Sequence, residues 1–203
     1  MISALGMKDK VFYGWVVVTA FLVIGTITWG LNSTFGVFFK SIATEFGLTR
    51  AATSAIVSVT AVFGSIMSIT GGWALDKYGP RIIALLIGLL IGLGLLTTSL
   101  TTAPWQLFIT YSFLIGFARG TVYIMIMGTV SRWFDKKRGL ALGIAGLGMA
   151  LSHIIIAPFA TYLISDFGWR MAYITLGLIA WLVIIPFSRL LKGDPSEVGA
   201  LPD

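Results

Sequence analysis

The sequence predicts an all-α integral membrane protein with six transmembrane helices. Of its 203 residues, 57% are hydrophobic and only 11% are charged, and the mean hydropathy is +0.96. A soluble domain carries about 25% charged residues on its wetted surface, so most of this surface must face lipid. Six apolar stretches are long enough to cross about 30 Å of hydrocarbon, which takes about 20 residues. No stretch alternates with period two, so no strand is predicted.

The six predicted helices follow one another with short connections. Thr49 is a predicted N-cap for the second helix, and Pro104 suits the first turn of the fourth. Trp15, Trp105, Trp133 and Trp169 lie near predicted helix ends and are expected at the membrane interface. The helices are Val11–Phe39, Ala52–Leu75, Ile82–Leu100, Trp105–Val130, Leu140–Ile164 and Met171–Leu191. Residues 1–192 therefore form one helical bundle.

The positive charges predict the orientation of this bundle. The first short segment is too polar for a cleaved signal peptide, so the first helix is expected to act as an uncleaved signal. Because cytoplasmic loops are rich in Lys and Arg, we expect both termini in the cytoplasm of a multi-pass plasma membrane protein. The net charge of +6 then reflects topology and not nucleic-acid binding. One side holds Lys8, Lys10, Lys77, Arg81, Arg132, Lys136, Lys137, Arg138, Arg189 and Lys192, and the other holds Lys40, Arg50 and Arg170.

The residues that enzymes use are not arranged for catalysis in this sequence. There is no cysteine, no phosphate-binding loop, no pair of carboxylates and no cluster with metal-ligand spacing. Ser152 and His153 are adjacent, so on a helix they point about 100° apart and cannot act as nucleophile and base. We therefore predict a protein that is not an enzyme and that needs no cofactor or metal.

Arg119 is the one charge predicted deep inside a helix. It lies about 14 residues past Trp105, or about 20 Å along a helix that rises 1.5 Å per residue, near the middle of the membrane. A charge there costs about 2.5–3.5 kcal/mol, so it should face a wet cavity or a partner. Tyr111 and Tyr123 recur at multiples of four and are predicted on the same face. Arg119 and Tyr123 are predicted to contact an anionic substrate; the alternative is an Arg held by backbone carbonyls or a distant carboxylate.

Two other predicted helices carry polar residues at depth. On the first, Asn32 and Phe35 belong to one face that mixes polar and aromatic groups, and they are predicted either to contact substrate or, for Asn32, to bond a neighbouring helix. His153 is the only histidine and lies inside the fifth helix. Imidazole titrates near neutral pH, so His153 is a candidate for proton coupling or substrate contact. The alternative is a neutral ring bonded to a neighbouring helix.

The connection between the second and third helices carries a spaced motif. It reads Gly72-x-x-x-Asp76-Lys77-x-Gly79-x-Arg81. Lys77 and Arg81 are explained as cytoplasmic anchors, whereas Asp76 and Gly79 are not. The motif resembles the signature loop of the major facilitator superfamily, G-x-x-x-D-[RK]-x-G-x-[RK]. Residues 30–59 and 131–152 are similar to the helix 1–2 and helix 4–5 regions of its monocarboxylate and oxalate/formate branch, and residues 194–203 resemble the start of its central loop.

The resemblance implies twelve helices in two six-helix halves, each half being two inverted three-helix repeats. The loop pair WALDKYGPR and WFDKKRG suggests such repeats. This chain would then be the N-terminal half, ending in residues 193–203 of the cytoplasmic central loop, and its partner would be a C-terminal six-helix half absent from this chain. The resemblance implies transport of small organic anions by proton symport or anion exchange, and likeness to the named branch implies monocarboxylates. Asp76 and Arg132 would form part of a conformational latch. The alternative function is a half-transporter or assembly subunit without transport of its own.

Overall fold

The structure is a computed structural model that describes residues 12–203. Lys8, Lys10 and the predicted helix start at Val11 lie outside the described residues. All regular secondary structure within them is helical. In order, the elements are α1 (Tyr13–Ser33), α2 (Phe35–Phe46), α3 (Arg50–Ser99), α4 (Pro104–Leu107), a π-helix (Phe108–Phe113), α5 (Leu114–Trp133), α6 (Arg138–Ser188) and a short 3-10 helix (Pro195–Val198).

Four helical stretches are long and apolar enough to cross a membrane: Tyr13–Phe46, Arg50–Ser99, Pro104–Trp133 and Arg138–Ser188. If straight, the 50-residue α3 and the 51-residue α6 would each be about 75 Å long, more than twice the thickness of the hydrocarbon. Each is interrupted by a glycine with extended, positive-φ geometry, Gly79 (φ 76°, ψ 166°) and Gly168 (φ 78°, ψ 162°). This backbone geometry, which essentially only glycine adopts, is not helical. Each long helix therefore consists of two segments.

The chain reverses direction at Gly79. Segment 50–78 runs parallel to the α4–α5 stretch, because residue numbers rise together in their contacts. Segment 80–99 runs antiparallel to the same stretch, because residue numbers there change in opposite senses. The parallel contacts include Thr60–Ser112, Gly64–Gly116 and Asp76–Arg132, and the antiparallel contacts include Gly94–Leu114 and Thr98–Thr110.

The chain reverses again at Gly168. Segment 138–167 runs parallel to α1, and segment 169–188 runs antiparallel to α1 and α2. Successive helical segments therefore alternate in direction along the whole bundle. The parallel contacts include Gly148–Thr26 and Ile156–Gly30, and the antiparallel contacts include Trp169–Phe46, Tyr173–Phe38 and Leu190–Tyr13.

Segment 138–167 packs on α1 through a stripe of mostly small residues and leaves its other faces exposed. The backbone of α1 is so close to Gly148 that a methyl group there would lie 2.7 Å from the carbonyl oxygen of Leu22. Such close approach takes the place of a hydrophobic driving force between helices in lipid. By contrast, a methyl group at Gly139, Gly143 or Gly146 would meet nothing within 4 Å. The buried stripe is Ala141, Ala145, Gly148, Ser152, Ile156, Ala160 and Leu163.

Eight of the described cations gather at one end of the bundle, which we call the basic end. Residues 189–203, here named the C-terminal strap, cross this end. The Trp133 indole N–H donates to the carbonyl of Lys192 (3.0 Å), and Gly193 lies against the ring of Pro80. The eight cations are Lys77, Arg81, Arg132, Lys136, Lys137, Arg138, Arg189 and Lys192.

The carboxylate of Asp203 closes the C-terminal strap. It accepts hydrogen bonds from the backbone N–H groups of Asp135 (2.7 Å), Lys136 (3.0 Å) and Lys137 (3.2 Å), just before α6 begins. These three N–H groups belong to the loop before α6, so Asp203 ties that loop to the end of the strap. Hydrogen bonds from Ser196 lower the pKa of the Asp194 carboxyl, also in the strap.

Several predictions about helix ends need correction. The first helix was predicted to end at Phe39, but helical structure continues through α2 to Phe46 and ends at Gly47, whose φ is 61°. The Thr49 cap is confirmed, because its hydroxyl accepts from the N–H of Ala52 (3.2 Å). Trp133 and Trp169 are buried within the bundle, where each indole N–H donates to a protein acceptor. Their position at the membrane interface stays a prediction.

The two similar loops do not occupy equivalent positions in the chain. WALDKYGPR contains the reversal at Gly79, between the second and third segments, whereas WFDKKRG joins α5 to α6. The counterpart of Gly79 in the second half of the chain is Gly168, which has nearly the same φ and ψ. Shared Lys and Arg at the basic end account for the loop similarity without any repeat.

Candidate functional site

The motif residues at the basic end form one ion pair. Arg132 Nη2 donates to Asp76 Oδ1 at 2.6 Å, which joins the end of segment 50–78 to the end of α5. Lys77 instead lies over the rings of Trp73 and Tyr78, at 4.8 and 5.3 Å from their centroids.

The glycines and Arg81 shape the same turn. Gly79 has the positive φ that reverses the chain, and Pro80 after it is buried under the strap. Gly72 does not need to be glycine for space, because a methyl group there would meet only Ile124, at an ordinary contact distance of 3.7 Å. Arg81 is exposed. Of the motif residues, the structure therefore pairs only Asp76 with Arg132.

The exposure of the Asp76–Arg132 pair limits what it adds to stability. The two side chains are 71% and 44% exposed, and exposed pairs contribute about 0.2–1 kcal/mol. A large functional effect from breaking this pair would therefore come from conformational change and not from unfolding.

Asp76→Asn should slow turnover by about tenfold or more while substrate affinity changes little, because it removes an ion pair between two helix ends. For the transport activity that the motif resemblance implies, initial uptake rates of the full-length protein in proteoliposomes would give Vmax and KM, and thermal unfolding would give stability. Asp166→Asn, which removes an exposed carboxylate at the opposite end, is the matched control. A change in KM with normal Vmax would contradict the latch role.

Arg119 lies on the exposed side of α5, at the middle of the stretch Pro104–Trp133. It lines a cavity of about 220 Å³ whose other walls come from segment 50–78 and from Gly120. Within residues 12–203, Arg119 has neither an ion-pair partner nor a hydrogen-bond acceptor. The structure thus presents a mid-bundle guanidinium to an open groove. The cavity-lining residues are Ala61, Gly64, Ser65, Ser68, Arg119 and Gly120.

Tyr111 does not share the face of Arg119 and Tyr123, and the prediction of one common face was wrong. Tyr111 is buried against Phe35, with ring centroids 4.7 Å apart, whereas Tyr123 is 56% exposed. Tyr111 lies in the π-helix Phe108–Phe113, where the wider turn breaks the four-residue register assumed for an α-helix. Its hydroxyl has no hydrogen-bond partner among the described residues.

The two candidates on the first stretch differ in accessibility. Asn32 is half-buried near the end of α1, and its side chain makes no hydrogen bond within the described residues. Phe35 is only 6% exposed because it packs on Tyr111, so its ring faces a neighbouring helix in this conformation. Substrate contact by either residue stays a prediction.

His153 lies on the exposed side of segment 138–167. Its Nδ1 is 2.8 Å from the carbonyl oxygen of Met149, and because a carbonyl only accepts, Nδ1 carries the hydrogen. In the neutral ring, Nε2 is then available as a hydrogen-bond acceptor. The Ser152 hydroxyl donates to the same carbonyl at 2.6 Å.

A polar cluster lies at the end of the bundle opposite the basic end, and the sequence analysis did not predict it. The Glu45 carboxylate accepts from the indole N–H of Trp169 and from Arg170 Nη1, and Arg170 Nη2 donates to the carbonyl of Thr101 at 2.9 Å. The cluster therefore ties α2, the connection before α4 and segment 169–188 together. The available signal was the Trp–Arg pair directly after Gly168.

The candidate residues in the bundle share one depth. Arg119, His153 and Ser65 each lie within about two residues of the midpoint of their helical segments, and Asn32 lies slightly further from its own. No hydrogen bond or ion pair within residues 12–203 joins Arg119 to Asn32 or His153. No group of three potential metal ligands occurs among these residues. The arrangement offers an anion one cationic contact at mid-depth.

Comparisons with known proteins agree on one family. The sequence profile described as Major Facilitator Superfamily matches residues 12–203. The chain is 30% identical over 188 residues to human monocarboxylate transporter 11, covering 90% of this chain and 40% of that protein. It is 29% identical over 180 residues to bovine monocarboxylate transporter 13, covering 89% and 42%. The chain thus spans about two fifths of the length of these curated relatives.

A solved structure shares the fold. It is described as a bacterial homolog of the human lysosomal transporter Spinster, in an inward-facing and unoccupied conformation. The TM-score is 0.78 at 17% sequence identity, and the match covers 94% of this chain and 45% of the other. At this identity the likeness concerns the fold.

Proposed function

The chain belongs to the Major Facilitator Superfamily, a family of transporters and not of enzymes, and on that premise we propose that it is the N-terminal half of a secondary transporter of small organic anions. The transporter works by alternating access, in which the binding site opens to one side of the membrane at a time. The short coverage of the relatives supports the idea of a half, with a C-terminal six-helix half as its partner.

We propose further that residues 1–192 form six transmembrane helices in two inverted three-helix repeats, and that residues 193–203 begin the central loop. The two reversals support this. Gly79 and Gly168 lie 89 residues apart, and the helices that contain them, α3 and α6, begin 88 residues apart. Because three segments separate the two starts, the second triplet begins on the opposite side of the membrane from the first.

The proposed location is the plasma membrane, with both termini in the cytoplasm. Eight described cations lie at the basic end, against Lys40, Arg50 and Arg170 toward the other end. This asymmetry is typical of a cytoplasmic face. The Asp76–Arg132 pair then lies on the cytoplasmic side, where it would hold the bundle closed when the transporter opens outward.

The anionic substrate is proposed from the guanidinium of Arg119, which lies at mid-depth and has no partner among residues 12–203. All seven carboxylate residues of the described part lie near helix ends or in connections, so none neutralises it. A small monocarboxylate would supply the negative charge that neutralises Arg119, and Arg binds carboxylates through two parallel hydrogen bonds. The names of the monocarboxylate transporter relatives support the same substrate class.

Proteoliposome uptake by the complete transporter tests this function. A panel of lactate, pyruvate, propionate, oxalate and an amino acid would be offered, with and without an imposed pH gradient or a counter-anion inside. We expect saturable uptake of a monocarboxylate, driven by the gradient or by exchange. This chain alone should give none, because half of the cavity wall is missing. Absence of carboxylate uptake by the complete protein would overturn the proposal.

His153→Gln should remove the stimulation of uptake by an inward-directed proton gradient while leaving anion exchange in place. In the neutral ring His153 has an unprotonated nitrogen that can accept a proton, whereas the amide of glutamine does not. The measurement is initial uptake as a function of external pH, with a protonophore added to wild type as the control. Full proton stimulation in the variant would exclude His153 from coupling.

A further inference from the structure

The groove beside Arg119 has two serine hydroxyls on its other wall. Ser65 and Ser68, on segment 50–78, line the same cavity of about 220 Å³ as Arg119. Pockets for drug-sized ligands measure about 300–1,000 Å³, so this groove fits a molecule of few heavy atoms. Both serines lie near the middle of their segment, at the depth of Arg119.

Close contact between the two helices fixes the positions of these polar groups. Gly64 on segment 50–78 and Gly120 on α5 touch through their backbones, since a methyl group at Gly120 would lie 1.9 Å from the carbonyl oxygen of Gly64. Ser65 directly follows one contact glycine, and Arg119 directly precedes the other. Successive helical residues point about 100° apart, so both side chains flank the contact, and both line the groove.

The hydrogen bonding of the serines determines what they offer a ligand. Ser65 donates its hydroxyl hydrogen to the carbonyl of Ala61 (3.0 Å), and Ser68 donates to the carbonyl of Ser65 (2.6 Å). Each hydroxyl oxygen keeps lone pairs that accept hydrogen bonds. In this state the groove combines a cationic donor, Arg119, with two neutral acceptors.

We infer that Ser65 and Ser68 determine specificity at the Arg119 site, by accepting a hydrogen bond from a 2-hydroxyl group while Arg119 holds the adjacent carboxylate. The inference rests on the proposed function. It ranks substrates by chemistry: a 2-hydroxy monocarboxylate binds best, because its hydroxyl donates to a serine oxygen. A 2-oxo acid offers only an acceptor, so a serine must give up its bond to the helix. An unsubstituted acid makes no such contact.

The test compares three acids of similar size. Inhibition of labelled lactate uptake by unlabelled lactate, pyruvate and propionate is measured in proteoliposomes of the complete transporter. Wild type should bind lactate about tenfold more tightly than propionate, with pyruvate between them. Ser65→Ala with Ser68→Ala should bring all three within about twofold. Ser65→Thr and Ser68→Thr, which keep the hydroxyl, should preserve the ranking.

Ser58→Ala is the matched control. Ser58 is an exposed serine two helical turns before Ser65, and its hydroxyl bonds the carbonyl of Ser54 in the same way, but it does not line the groove. It should behave as wild type. Thermal unfolding of each variant shows that it is folded, and each single Ser→Ala variant should lower the preference if the double variant is not produced.

The results distinguish a failure of this inference from a failure of the proposed function. If the alanine variants keep the wild-type ranking while Arg119→Ala abolishes uptake, the serine assignment is wrong and the anion site stands. A wild type that prefers propionate also overturns the assignment. If Ser58→Ala changes the ranking equally, the effect belongs to the helix and not to the groove, and the assignment fails. If wild type takes up no carboxylate, both proposals fail together.

Discussion

Arg119→Ala is expected to abolish carboxylate uptake by the complete transporter while its yield in membranes stays near that of wild type. The guanidinium lies at mid-depth beside an open groove and has no protein partner within the described residues. Removing one member of a desolvated, hydrogen-bonded charge pair costs about 2–5 kcal/mol of binding, or at least about 30-fold in affinity. Folding should not suffer, because deleting an unpaired charge from a membrane helix lowers the cost of insertion.

Uptake and yield must be measured on the same preparations. Arg50→Ala, which removes an exposed arginine at the start of α3, is the control and should transport normally. Unchanged uptake by Arg119→Ala would exclude an anion contact. Loss of uptake together with loss of the folded protein would instead indicate an arginine that holds the two halves together.

Gly120→Ala is expected to disrupt the bundle itself. The added methyl group would lie 1.9 Å from the carbonyl oxygen of Gly64 and 3.1 Å from the backbone nitrogen of Ser68. Both obstacles are helix backbone, which cannot rotate aside, so α5 and segment 50–78 must separate. Overpacking typically costs about 1–3 kcal/mol, and a backbone collision belongs at the upper end or beyond.

Size-exclusion chromatography of the detergent-solubilised protein, combined with thermal unfolding, measures this effect. Gly143→Ala serves as the control, because a methyl group there meets nothing within 4 Å. The control should unfold at the wild-type temperature, whereas Gly120→Ala should be produced poorly or unfold many degrees lower. Equal stability of the two variants would show that α5 and segment 50–78 separate without loss.

Much of the helical architecture could be predicted because its signals are local. Apolar length, the Thr49 cap and Pro104 at a helix start are visible within a few residues, and the structure confirms the last two. The continuation from Phe39 to Phe46 was missed, because this part of the helix includes Lys40 and Glu45 and is less apolar than the stretch before it. Glu45 is instead paired with Trp169 and Arg170, which are distant in sequence.

The candidate site was harder to predict than the fold. Arg119 stands out in any reading, because an isolated charge in an apolar helix is costly. Tyr111 was placed on the wrong face because a π-helix changes the register without a clear sequence signal. Ser65 and Ser68 were not singled out because serines are common in membrane helices, and the structure is needed to place them along the same groove as Arg119.

The C-terminal strap determines where the complete protein could be divided into two separately expressed pieces. A cut directly after α6 would detach Lys192, whose carbonyl accepts from Trp133, and Asp203, whose carboxylate binds the loop before α6. A cut beyond Asp203 would keep these contacts within the first piece. Co-expressed pieces divided beyond Asp203 should therefore reassemble from an already closed N-terminal bundle, which makes this position the better one for split reporters and for domain exchange.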